Sequence, residues 1–171
     1  LDQVARDEGL DPTDLAARLE TARQALFAAR APRPRPLRDD KILTDVNGLM
    51  IAALARCGRV LGQEAYVQAA ERAARFAATV LTAPEGRLLH RYRAGQAGLD
   101  GLLDDHAFLA WGYLELAQAR PGQGWTGRAL ALAEALRARF RHPGGGFHQA
   151  PETPSDGIPL LFRPLDLVDG A

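Results

Sequence analysis

The stretch DDKILTDVNGLMIAALAR, at positions 39–56, places an acidic segment directly before an apolar helix. The same order returns as LLDDHAFLAWGYLEL at positions 102–116. It begins a third time as RPLDLVDGA at positions 163–171. Each copy puts carboxylates at the start of a helix that is apolar on nearly every side, and such a helix is typical of a protein interior.

The two longer copies keep a constant spacing along the chain. In each copy the apolar inner helix is followed by an outer helix with one polar side, then by a turn and a short extended stretch. A fixed period of this length is the signature of repeated helical hairpins, which bury their inner helices only against neighbouring copies. The sequence therefore predicts an all-α fold that forms part of an α/α toroid. The spacing of 59 positions holds for three matching pairs: Asp45 and Asp104, Tyr66 and Trp125, and Gly86 and Gly145.

A change of composition near position 38 separates two regions. The first region opens with short helices, and Asp11 followed by Pro12 is a typical helix start. The segment APRPRPL that follows excludes a helix and favours a stiff connector. Because the chain begins without Met and ends inside the third copy, we expect a fragment of a longer toroid. The predicted regions are 1–38 for the helices and Pro-rich connector and 39–171 for the hairpin repeats, at about 43–101, 102–162 and from 163 onward.

Composition restricts the class of partner. The chain is 47% hydrophobic and carries 21 basic and 21 acidic side chains, so its net charge is zero. Neither nucleic acid nor a membrane is expected as a partner of such a surface. The absence of a signal peptide and of an apolar run of about 20 residues predicts a cytoplasmic protein. Cys57 stands alone, which excludes an internal disulfide, and its place in the apolar helix predicts a buried thiol.

The carboxylates at the helix starts allow two interpretations. Asp is a favoured N-cap that also complements the helix dipole, so Asp45 and Asp104 are each explained by capping alone. One Asp is enough to cap a helix, so the second acid of the doublet is not explained by capping. Asp105 and the adjacent His106 are therefore candidates for a catalytic role. Two carboxylates across a sugar serve as general acid and base in a glycosidase, whereas a histidine beside carboxylates suits the base of an epimerase. We predict that Asp105, His106 and Asp169 are catalytic.

Further polar residues near the same helix starts are expected to bind the ligand. They are predicted to line one pocket at the N-terminal ends of the inner helices, together with the catalytic groups. No cofactor is expected, and the carboxylates lack a spacing typical of metal ligands. His90, His142 and His148 fall in turns and extended stretches, where a solvated position at the rim is expected. The predicted ligand-binding residues are Arg35, Asp39, Asp40, Lys41, Asp45, Asn47, Asp104, Arg163 and Asp166.

With these residues placed, the whole chain resembles the family of thioredoxin-domain-containing proteins related to spermatogenesis-associated protein 20. Three positions depart from the family pattern: Val46 replaces a Trp, Leu165 replaces a basic residue, and His106 replaces a Tyr. The motifs that carry the resemblance are Arg35-Pro36 with Asp39-Asp40-Lys41, Thr44-Asp45 with Asn47-Gly48-Leu49-Met50, Leu103-Asp104-Asp105 with Ala107-Phe108, and Arg163-Pro164 with Asp166 and Asp169-Gly170-Ala171.

The resemblance implies a fold and a class of ligand. Members of this family carry an N-terminal thioredoxin-like domain and a C-terminal toroid of the six-hairpin, glycosidase-like type. That toroid is similar to glycosidases and N-acylglucosamine 2-epimerases, which implies a carbohydrate-type ligand in an acidic pocket. Whether the domain is a glycosidase-like or epimerase-like enzyme, or a non-catalytic binding or scaffold module for the thioredoxin-like domain, stays open at this point. Carboxylates that converge on a water-filled cleft would favour an enzyme, and carboxylates used up by capping would favour a scaffold.

Overall fold

Six helices and five short strands make up the part of the chain that the computed structural model describes, residues 1–151 and 165–166. The chain divides into two units, Leu1–Asp39 and Asp40–Ala171. The helices are α1 (Asp2–Asp7), α2 (Pro12–Arg30), α3 (Thr44–Leu61), α4 (Glu64–Val80), α5 (Leu103–Ala119) and α6 (Trp125–Phe140). The strands are β1 (Ile42–Leu43), β2 (Leu89–Arg93), β3 (Gln96–Asp100), β4 (Phe147–His148) and β5 (Leu165–Asp166).

The first unit contains α1 and α2. The Asp11 side chain caps α2 as predicted, since it accepts hydrogen bonds from the backbone N–H groups of Thr13 at 2.8 Å and Asp14 at 3.2 Å. The apolar side chains of α2 are not buried, because α1 has only 6 residues and covers little of a 19-residue helix. Leu26, for example, is 72% exposed. The Pro-rich segment that follows is non-helical, as its sequence predicts.

The second unit contains two helical hairpins, α3 with α4 and α5 with α6. The inner helices α3 and α5 pack on each other, and each also packs on its own outer helix. Gly62, in the left-handed conformation at φ +65°, ends α3 where the chain turns into α4. Small residues on α4 let the outer helix pack closely on the inner pair. The buried core consists of Ile51, Ala55, Val67, Ala70, Ala74, Ala77, Leu81, Leu88, Leu109, Tyr113, Leu116, Trp125 and Ala129.

Short strands join the hairpins at one end. β2 lies between β1 and β3 in an antiparallel sheet, and Leu43 pairs with Arg91. β4 and β5 form a second antiparallel pair. The sheet of the first junction has 3 strands, which agrees with the predicted extended stretches between helical hairpins.

Two expectations about burial are wrong. The helix α3 was predicted to be buried on every side, yet Leu49 is 40% and Met50 53% exposed. The reason is that an inner helix of a toroid needs a neighbour on both sides, and among the described residues α3 packs on only one inner helix. Cys57 is exposed and not buried, because it lies on the solvent side of the same helix.

No helix among residues 1–151 combines the length and the apolar character that a membrane span requires.

Candidate functional site

Asp105 is the centre of the site, and its side chain is completely buried. One carboxylate oxygen, Oδ1, accepts a hydrogen bond of 2.9 Å from the backbone N–H of Asp45 at the start of α3. The other oxygen, Oδ2, accepts a bond of 2.7 Å from the backbone N–H of Leu102, the residue that precedes α5. A single carboxylate therefore caps its own helix and ties the starts of both inner helices together.

The structure corrects the roles assigned to the acidic doublet. The sequence predicted that Asp104 caps α5 and that Asp105 remains free, but it is the Asp105 carboxylate that accepts the Leu102 N–H. Asp104 is exposed at the surface. The reason is geometric, because Asp105 is the third residue of α5, and a side chain at that position reaches back to the N-cap backbone.

His90 completes the site, although the sequence placed it at a solvated rim. Its Nδ1 lies 2.8 Å from Oδ2 of Asp105, and its side chain is 23% exposed. The ring is held there by β2, whose neighbouring residue Leu89 accepts a 2.6 Å hydrogen bond from the buried hydroxyl of Thr44. The Thr44 bond and the β1–β2 pairing together carry His90 to the start of α3.

Asp45 is the third member of the cluster. One donor atom from each of Asp45, His90 and Asp105 lies within 4.8 Å of the other two, and Asp45 and His90 are only partly buried. Burial raises the pKa of Asp105 above its usual value, the Leu102 N–H and the His90 ring lower it, and the nearby Asp45 charge raises it further. The cluster therefore combines a buried carboxylate, an imidazole bonded to it and a second carboxylate close by.

Two carboxylates and an imidazole are also a donor set for a divalent cation. The hydrogen bonds favour a proton at this place instead, because Oδ1 and Oδ2 of Asp105 together accept two backbone N–H groups and face the ring nitrogen at hydrogen-bond distance. A cation between Nδ1 and Oδ2 would replace the bond that orients His90. We therefore describe the cluster as a hydrogen-bonded Asp–His pair with a second carboxylate beside it.

His106 does not join this cluster. Its Nδ1 is bonded to the backbone oxygen of Leu102 at 2.8 Å, and its ring packs edge-on against Phe140 of α6 with centroids 5.0 Å apart. Burial lowers the pKa of His106, although the bond to Leu102 acts in the opposite direction. The predicted pairing of Asp105 and His106 in one pocket is thus not observed, because adjacent residues of a helix point in directions about 100° apart.

Other predicted ligand-binding residues near the helix starts make contacts within the protein, outside the cluster. The Asn47 side chain donates to the backbone oxygen of Leu43 at 2.7 Å, which closes the first turn of α3. Asp40 accepts a 2.8 Å bond from Arg93 of β2, and Lys41 is exposed beside it. These contacts fix the β1–β2 junction beneath His90.

Five predicted site residues are not placed with the cluster. Arg35 and Asp39 belong to the first unit, and their predicted approach to the pocket stays a prediction. Arg163 and Asp169 lie outside the described residues. Asp166 belongs to β5, where its backbone pairs with Phe147.

His90 is the residue that sequence reasoning missed. The stretch around it was predicted to be extended, and β2 confirms this. What the sequence did not reveal is the partner of that stretch, since β1 has only 2 residues and carries no strand signal of its own. A short strand directly before an acidic helix start is the signal that could have pointed to His90.

Curated relatives match the whole of the chain. It is 32% identical over 181 residues to spermatogenesis-associated protein 20 of Homo sapiens and 33% identical over 180 residues to the protein of that name in Mus musculus. The chain belongs to the family of spermatogenesis-associated protein 20. It spans about a quarter of these relatives, 23% of the length of each. An uncharacterized protein of Caenorhabditis elegans is 25% identical over 99% of the chain and is covered to 24%.

No family model matches the chain. Among solved structures, the family member is similar to a sugar epimerase from a ruminal bacterium, with a TM-score of 0.59 and 14% identity over 64% of the chain and 29% of the epimerase. It is also similar to a cellobiose 2-epimerase from Bacillus thermoamylovorans, with a TM-score of 0.57 and 14% identity over 62% of the chain and 31% of the enzyme. At this identity the likeness shows the fold alone, and it confirms the α/α toroid of glycosidase and epimerase type.

Proposed function

We propose that this chain contributes an acid–base group to a toroid that binds a carbohydrate-type ligand, and that the group is His90 held by Asp105. The observation that carries the proposal is the 2.8 Å contact between His90 Nδ1 and Asp105 Oδ2. A ring nitrogen that donates to a buried carboxylate keeps its proton, so the second nitrogen, Nε2, presents the lone pair. The partial exposure of His90 leaves that side chain accessible to a ligand.

The hydrogen bonds of Asp105 argue against a glycosidase that would use Asp45 and Asp105 as its pair of acids. Both Asp105 oxygens accept backbone N–H groups, so this carboxylate is not available as an acid or a nucleophile toward a glycosidic bond. An oriented imidazole, in contrast, is a general base for removing a proton beside a carbonyl.

Epimerisation is therefore the reaction that we favour. In it, Nε2 of His90 takes the proton from the sugar carbon next to the carbonyl, and the electron pair of that C–H bond moves into an enediolate. A second acid of the complete toroid then gives a proton to the opposite face of the carbon and inverts it, while the His90 imidazolium releases its proton to solvent. No oxidant or reductant is consumed. Asp105 would stabilise the imidazolium that forms, as a buried carboxylate does for a catalytic histidine. The fold of the epimerases named above is in keeping with this chemistry.

A non-catalytic module that serves an attached thioredoxin-like domain is the second proposal. It is favoured by the two backbone bonds of Asp105, since a carboxylate that joins two helix starts has a structural task whether or not chemistry takes place. The two proposals differ in what His90 does, and His90 is therefore the residue to test.

Deuterium exchange separates the two proposals. The complete protein is incubated with glucose or cellobiose in deuterated water, and exchange at carbon 2 of the reducing sugar is followed by NMR. We expect exchange with the natural sequence, a loss of at least about a hundredfold in His90→Gln, and no change in the control His142→Gln. Absence of exchange in the natural protein, or equal exchange in His90→Gln, would contradict the role of His90 as a base and favour the non-catalytic module.

A further inference from the structure

A cleft of about 570 Å³ opens between α6 and the turn that follows α4, away from the Asp45–His90–Asp105 cluster. None of the three cluster residues lines it. Its size lies within the range of about 300–1,000 Å³ that is usual for small-molecule sites. The floor is apolar and comes from Leu88, Leu109 and Leu132. The cleft is therefore separate from the proposed acid–base site and has the dimensions of a ligand pocket.

Charged side chains at the cleft form a network around one buried acid. Asp100 is only 7% exposed, and its carboxylate is shared by Arg87 and by Arg139, whose guanidinium lies 3.2 Å from Oδ2. Arg87 also pairs with Glu85 at 2.9 Å. Two arginines are thereby held in place by two carboxylates, and their remaining N–H groups are oriented before any ligand arrives.

A third arginine at the cleft has no such partner. Arg128 lies on α6, is exposed, and pairs with no carboxylate among the residues that the structure describes. With three arginines against the two acids Glu85 and Asp100, the cleft carries an excess positive charge. His106 adds a polar wall whose Nδ1 is already bonded to Leu102. An apolar floor below an excess of guanidinium groups fits a ligand with an anionic head and an apolar or sugar body.

We propose that this cleft binds a small organic anion, a carboxylate or a phosphate ester, whose charged group is held by Arg128. The fixed Arg139 lies about three turns further along α6 and adds to the positive charge of the cleft. Arginine binds carboxylates and phosphates alike through paired N–H donors. The cleft is therefore expected to accept either group, and the choice of probes distinguishes a carboxylate from a phosphate ester. The site is independent of the proposed sugar chemistry at His90.

Calorimetric titration of the complete protein at low ionic strength tests the proposal. The probes are inorganic phosphate, glucose 6-phosphate and benzoate. We expect at least one of them to bind at millimolar concentration or better, with benzoate favoured if the anion is a carboxylate and glucose 6-phosphate favoured over phosphate if it is a phosphate ester. Binding of none of the three overturns the proposal.

Matched variants on α6 localise the binding. Arg128→Ala is expected to lower the affinity for the probe about tenfold or more, because a charge-assisted hydrogen bond is lost. Arg137→Ala removes the same charge from the same helix outside the cleft and is expected to leave the affinity unchanged. His90→Gln is expected to leave it unchanged as well. Equal weakening in Arg128→Ala and Arg137→Ala, or loss in His90→Gln, contradicts the cleft as the site. Melting curves without ligand should be the same for both arginine variants, since both residues are exposed.

Discussion

At the scale of single residues, one buried carboxylate joins the starts of α3 and α5 and accepts hydrogen bonds from three groups. Asp105 is inaccessible to solvent, and the N–H groups of Asp45 and Leu102 together with the His90 ring replace the water it loses. Burying such a group without these partners would cost several kcal/mol. The bonds therefore explain how an ionisable side chain is tolerated at the junction of two helices.

Replacing Asp105 by Asn should lower the stability of the protein. An amide keeps one acceptor oxygen but turns the other atom into a donor, which then faces an N–H group. We expect the free energy of unfolding to fall by about 1–3 kcal/mol, measured by denaturant titration.

Asp104→Asn is the matched control on the same turn of α5. Because Asp104 is exposed, we expect its replacement to change the free energy of unfolding by less than about 0.5 kcal/mol. A larger loss in Asp104→Asn than in Asp105→Asn would show that the neighbouring acid is the effective cap.

The burial of His106 leads us to expect that the free energy of unfolding depends on pH. Burial holds the folded-state pKa of this residue below the ordinary value of 6.5, so the unfolded chain takes up a proton at a pH where the folded chain does not. Stability that is present at neutral pH should be lost as the pH falls below 6.5, with a slope of up to about 1.4 kcal/mol per pH unit until the folded-state pKa is reached. Denaturant titrations at several pH values measure this slope.

His106→Gln should remove that slope, whatever its effect on stability at neutral pH. Gln can still donate to the backbone oxygen of Leu102 but cannot take up a proton. His142→Gln controls for the loss of an imidazole elsewhere and should keep the slope. An unchanged slope in His106→Gln would assign the pH dependence to another group.

At the scale of helices, the packing of α3 on α5 depends on two glycines. A Cβ built on Gly48 would lie 2.5 Å from the backbone of Leu109, and one built on Gly112 would lie 2.7 Å from the oxygen of Gly48. Both distances are shorter than real Cβ contacts, so the two backbones approach as closely as they do only because neither residue has a side chain. This close approach also brings the N–H of Asp45 within reach of Asp105.

Gly48→Ala should therefore push the inner helices apart. We expect the free energy of unfolding to fall by about 1–3 kcal/mol or more, despite the better helix propensity of Ala. Gly127→Ala is the control, since Gly127 lies in α6 with no atom within 4 Å of an added Cβ. That replacement should raise the stability by about 0.4–1 kcal/mol, and a gain of this kind at Gly48 would contradict the close approach.

At the scale of the whole molecule, the inner helices still expose apolar side chains. Val46, Leu49 and Met50 on α3 and Trp111 and Leu114 on α5 are each between 40% and 54% exposed. The same helices in the epimerase-like toroids belong to chains about twice as long, since 64% of this chain covers 29% of one and 62% covers 31% of the other. Further inner helices are the neighbours that a toroid would provide for these side chains.

The chain expressed alone should consequently self-associate, because apolar patches of this extent are unusual on a soluble monomer. Light scattering over a range of concentrations measures this. Replacing Met50 and Leu114 by Lys should reduce the association, whereas Leu130→Lys on the outer helix, 58% exposed in the natural chain, should have little effect. A monodisperse monomer at high concentration for the natural chain would contradict the expectation.

Local and periodic features were determined by the sequence alone. The repeat of 59 positions predicted two helical hairpins, and the inner helices α3 and α5 indeed start 59 residues apart, at Thr44 and Leu103. The Asp11 cap and the non-helical Pro-rich segment also follow from neighbouring residues. Such features depend on the period of the helix and on backbone chemistry within a few residues, and both are written in the order of amino acids.

The composition of the site was decided only by the tertiary structure. The sequence placed Asp45 and Asp105 at helix starts but paired Asp105 with its neighbour His106. The fold turns His106 toward Phe140 and brings in His90 instead, 15 residues before Asp105, through a two-residue strand and the Thr44 hydroxyl. A strand this short has no period of its own, and its partner is selected by the packing of whole helices, so pattern alone could not identify which histidine faces the carboxylate.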